Sequence, residues 1–125
     1  MGAMTVLGTL TLPGVERSVA YARQFVRDLL GSDHPAMYEA NVAICELFTN
    51  SLQHSRSGDR GQITIVVATG DGFMQISVVD EVRLDVGGDL MAEGGRGILL
   101  MRELATEWGA EIEDGSTTIW FRIAF

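Results

Sequence analysis

The chain has 125 residues, of which 46% are hydrophobic, and a formal net charge of -8, so it is long enough to bury one continuous core without disulfides or structural metals. All nine basic residues are arginine, which excludes a P-loop lysine, a lysine Schiff base and a lysine general base, and the acidic balance opposes binding to a phosphate backbone. No apolar run approaches the roughly 20 residues that span a bilayer, and no basic segment followed by an apolar stretch opens the chain, so a cytoplasmic protein is expected.

Residues 1–3, ahead of Met4, read as a cloning remnant, and 4–125 as a single domain. Loose alternation over 4–12 predicts a strand, broken by Pro13-Gly14. Val15, Val19, Ala22, Val26 and Leu29 then form one apolar helical stripe, and Gly31 is placed to end that helix. Asp33 is expected to cap a second helix, with Pro35 in its first turn, that runs to about Gln53 and turns Ala36, Ala40, Ala43, Leu47 and Phe48 to the core. Cys45, the one cysteine, has no internal disulfide partner and reads as a small buried hydrophobe in this helix.

After a polar loop, residues 62–69 and 73–79 are two β-branched strands joined by Gly70-Asp71-Gly72, a hairpin signal. Residues 81–97 hold two glycine pairs and no period, which marks a functional or mobile segment. A third helix is expected over 98–108 with Gly109 as its stop, followed by a hairpin of 110–113 and 117–125. If Ile119 and Phe121 face the helices, Trp120 and Arg122 face outward. The expected fold is α+β, a two-layer sandwich of a mixed, largely antiparallel sheet with three helices on one face.

Three features could carry chemistry. Glu46 and Asn50 lie one turn apart on the second helix, with His54 one turn further, so a carboxylate and a carboxamide share a face where one can position a hydroxyl or water and the other a magnesium ion. Asp80 ends an apolar strand, where a carboxylate can accept a hydrogen bond from an exocyclic amine such as that of adenine. Gly94-Gly95-Arg96-Gly97 precedes a helical pattern; small residues allow close backbone approach, free N–H groups attract phosphate, and Arg96 adds a full positive charge. Taken singly, each is also met in ordinary helix faces, turns and caps.

In this order, the helix carrying Glu46-Leu47-Phe48-Thr49-Asn50, the strand ending in Asp80 and the run Gly95-Arg96-Gly97-Ile98 resemble the Bergerat-fold (GHKL) ATPase superfamily. Arg17-Ser18-Val19 through Leu30 looks like the first helix of its anti-sigma-factor serine/threonine kinase branch, so the likeness covers nearly the whole chain. The resemblance implies a histidine-kinase-like ATP-binding domain with Glu46 as general base, Asn50 as magnesium ligand and Asp80 as adenine anchor. Thr118 would support the base beside that aspartate, while Gly95 and Gly97 would close a lid over the phosphates. His54 and Arg96 complete the expected ATP-binding set. The implied activity is phosphorylation of an anti-anti-sigma partner by an ATP- and magnesium-dependent kinase that also binds a sigma factor, with a homodimer among the expected assemblies. Val82 stands where the family has glycine, two residues after the aspartate, which leaves a non-catalytic regulatory binding module as the alternative.

Overall fold

The computed structural model describes residues 3–54, 61–80, 103–113 and 116–125, with side chains except at 50–54 and 112–113. In chain order the elements are β1 (Thr5–Pro13), α1 (Ser18–Leu30), α2 (Met37–His54), β2 (Gln62–Gly70), β3 (Phe73–Asp80), β4 (Glu107–Glu113) and β5 (Ser116–Ala124). The strands form one five-stranded sheet in the order β1-β2-β3-β5-β4, and every neighbouring pair is antiparallel. The architecture is thus α+β as expected, but among the described strands the sheet is antiparallel throughout rather than mixed.

Local chemistry accounts for the joints. Gly70 pairs with Phe73 across Asp71-Gly72, and Gly72 holds φ at +81°, a conformation that a side chain would strain. α1 ends where the Gly31 N–H donates to the Arg27 carbonyl at 2.8 Å. The start of α2 differs from expectation. The Asp33 cap is replaced by His34, whose Nδ1 accepts the Ala36 N–H at 3.0 Å, and the helix begins at Met37, just beyond Pro35.

The core lies between the helices and one face of the sheet. Ala36, Ala40, Ala43, Ile44, Leu47 and Phe48 of α2 are buried with Ala22 and Val26 of α1, the stripes that the helical spacing predicts. Strict alternation in β3 and β5 turns Met74, Ile76 and Val78, and Ile119, Phe121 and Ile123, to the same cluster.

The expected third helix is the main correction to the architecture. Only Glu103 and Leu104 are helical among its described residues, residues 98–102 lie outside the description, and Trp108 and Gly109 belong to β4. From Thr106 onward the chain is captured by β5: the Thr106 N–H and Oγ1 both donate to the Arg122 carbonyl, at 2.8 and 3.0 Å. Tertiary pairing overrides the helical period here.

Gly109 is therefore no helix stop. It pairs with Trp120, and a Cβ at 109 would come within 2.7 Å of the Trp120 ring. Gly109→Ala is expected to lever the indole off the strand and destabilise the fold by about 1–2 kcal/mol. Urea denaturation followed by circular dichroism measures this, and an unchanged midpoint would show that Trp120 relaxes freely.

Candidate functional site

Asp80 is the last residue of β3, and strand parity turns it to the helix-covered face, where it is only 2% exposed. Directly opposite in the β3–β5 register stands Thr117, 1% exposed, whose Oγ1 is buried without a hydrogen-bond partner among the described residues. Residues directly opposite across an antiparallel pair share a face. At one end of the sheet, then, a buried carboxylate and a buried hydroxyl stand side by side beneath the helix layer. Burying a hydroxyl that is not hydrogen-bonded costs about 1–3 kcal/mol, so Thr117 Oγ1 is placed to take a polar partner.

Thr118, expected beside Asp80, is not there. It pairs with Val79 and carries the outward parity of Trp120 and Arg122. The alternation of Ile119, Phe121 and Ile123 holds the signal that selects Thr117, because odd-numbered positions of β5 all face the core.

The outer face is organised around Arg122, as its parity predicts. Its Nε and Nη2 donate to Gln75 Oε1 at 3.1 and 2.8 Å, and Nη1 pairs with Glu107 Oε1 at 2.8 Å. The guanidinium also lies over the Phe73 ring, 4.7 Å from its centre, with Trp120 at 5.5 Å. Its cation is committed to holding β3, β4 and β5 together.

Glu46 is half-buried on α2, next to core residue Leu47. It lines a cleft of about 390 Å³ with Arg23, Tyr38, Asn41, Val42 and Cys45. Cys45 is half-buried in that cleft rather than sealed in the core as its type led us to expect, because it lies off the buried stripe that holds Ile44 and Phe48. Burial pushes its thiol pKa up; Arg23 opposes this less strongly and Glu46 adds to the rise.

The backbones of Asn50 and His54 belong to α2, while their side chains, and Gly95, Arg96, Gly97 and Val82 entirely, lie outside the described residues. Among the described residues no cluster of three or more His, Cys, Asp or Glu side chains is arranged to hold a metal, and no helix is long and apolar enough to cross a membrane.

The family model for the histidine kinase-like ATPase domain matches residues 12–123. The serine-protein kinase RsbW of Bacillus pumilus is 26% identical over 126 residues, covering 86% of this chain and 71% of that protein. RsbW of Bacillus licheniformis is 25% identical with the same coverage. A crystal structure of the RsbU and RsbW domains of a Mycobacterium tuberculosis protein superimposes with a TM-score of 0.71 at 21% identity, over 94% of this chain. This chain spans about a third, 31%, of that longer one, and the likeness shows the shared fold.

Proposed function

Because the chain belongs to the histidine kinase-like ATPase domain family, we propose that it binds ATP with magnesium and phosphorylates a serine or threonine of a small anti-anti-sigma protein, serving also as an anti-sigma factor. The observation that carries the nucleotide part is the buried Asp80–Thr117 pair at the end of β3 and β5. The similarity to the RsbW serine-protein kinases supports the kinase and partner parts.

Each residue has a role that its chemistry permits. The Asp80 carboxylate accepts a hydrogen bond from the exocyclic amine of the base, and Thr117 Oγ1 offers a second polar contact beside it. Glu46 orients the acceptor hydroxyl and takes its proton. Asn50 contributes a carboxamide oxygen to magnesium, and Gly95, Arg96 and Gly97 offer backbone N–H groups and one positive charge to the phosphates. Bound magnesium-ATP supplies the activated phosphoryl group and neutralises charge as it is transferred.

Calorimetric titration with magnesium-ATP tests the site. Asp80→Asn and Thr117→Val are each expected to weaken binding about tenfold or more, the loss of one buried polar contact, while Thr118→Val changes it less than about twofold. No heat or thermal shift with the unmodified protein would overturn the nucleotide reading. Equal effects at 117 and 118 would overturn the assignment of Thr117.

Val82, in the position of the family's glycine, favours a second reading as a regulatory module that binds partners without turnover. ATP binding without phosphotransfer, unchanged by Val82→Gly, would select it.

A further inference from the structure

The cleft between α1 and α2 has features that nucleotide binding leaves unused. Arg23 is exposed and, among the described residues, forms no ion pair or hydrogen bond. Asn41 Oδ1 is buried in the cleft wall without a partner among the described residues. Tyr38, at the rim, is 66% exposed. A second cleft of about 290 Å³ adjoins the first through Arg23 and adds Arg27, while Asp28 turns its carboxylate to Gln24 at 2.7 Å. Two guanidinium groups, Arg23 and Arg27, and one carboxylate, Glu46, thus line the combined groove of a chain that is otherwise strongly acidic.

We propose that this groove docks an acidic segment of a partner protein. A partner carboxylate meets Arg23, and a main-chain N–H or hydroxyl of the segment satisfies Asn41 Oδ1. The apolar part of the segment lies on Tyr38 and Val42. With Tyr38 two-thirds exposed at its rim, the groove leaves a bound group largely in solvent, whereas small-molecule sites bury most of the ligand surface. Exposed tyrosine and arginine around an apolar floor are instead the groups that anchor protein interfaces. The groove shares Glu46 with the proposed phosphotransfer, but docking does not require that transfer to occur.

Cys45, the only cysteine, lines the same cleft and provides a reporter. The full chain is equilibrated with the symmetrical disulfides of cysteamine-capped Asp-Ser, Asn-Ser and Lys-Ser peptides under a fixed excess of β-mercaptoethanol, so that the Cys45 thiolate takes one half of a disulfide and releases the other as a thiol, and mixed disulfides are counted by intact mass. Measuring at equilibrium keeps the thiol's raised pKa from biasing the comparison, since it affects all three caps alike. The Asp-Ser cap is expected to be captured about fivefold better than the Asn-Ser cap, as for a partly exposed ion pair. Arg23→Gln, at an exposed position, should abolish that preference and leave Asn-Ser capture unchanged. Equal capture of all three caps, or a preference that survives Arg23→Gln, overturns the proposal. Acid preference in a protein without phosphotransfer upholds docking and counts against the kinase; phosphotransfer without acid preference overturns docking alone.

Discussion

Glu46→Ala is expected to lower phosphotransfer to a serine- or threonine-bearing partner by about 10²–10⁴-fold, the usual contribution of a positioned base. ATP affinity should stay within a few-fold, because a general base acts mainly in the transition state. Glu46 lies off the stripe formed by Ala43, Ile44, Leu47 and Phe48, so its removal opens no core cavity and stability should change by less than about 0.5 kcal/mol. Radiolabel transfer to the partner, calorimetry with magnesium-ATP and urea denaturation separate the three quantities. A variant that transfers phosphate as well as the parent would remove Glu46 from the chemistry, and one that no longer binds ATP would move it to the nucleotide-holding residues.

Phe121→Ala should have the largest effect on stability. The ring is wholly buried, and its strand position is flanked by Ile76 on β3 and Trp108 on β4. Truncation leaves a cavity that the alternating side chains of two neighbouring strands cannot collapse to fill, at a cost of about 3–5 kcal/mol. That is a large part of the roughly 5–15 kcal/mol by which a domain is stable. The melting temperature should fall on the order of 10–20 °C. Scanning calorimetry measures the shift; a drop of only a degree or two would mean that this part of the core repacks.

Much of this fold is written in local pattern. The stripe on α2, the Asp71-Gly72 turn and the alternation of Ile119, Phe121 and Ile123 are each set by residues close in sequence, and each appears in the structure. What local pattern misses is set by distant partners. Trp108 and Gly109 look like the end of a helix until β5 claims them through Phe121 and Trp120. Cys45 looks like a core residue until the direction of its helix face is known. The same holds at the site. Asp80 is recognisable from its place at the end of an apolar strand and the alternation of β5 marks Thr117 as inward, but that Thr117 stands directly opposite Asp80 is set by the register across β3 and β5.

The strand order also bears on how the molecule is made. β5 follows β4 in sequence, yet it lies between β3 and β4 and, among the described elements, is the one that joins them. While the chain is being synthesised, β1, β2 and β3 can zip together, but β3 waits with one edge open, and among the described strands β4 has no neighbour until β5 follows it. Asp80 meets Thr117 only at that closing step. The Asp80–Thr117 pair therefore forms with the insertion of β5, and the β3–β5 pairing, between residues about 40 positions apart, carries the slow loop closure of non-local β topology.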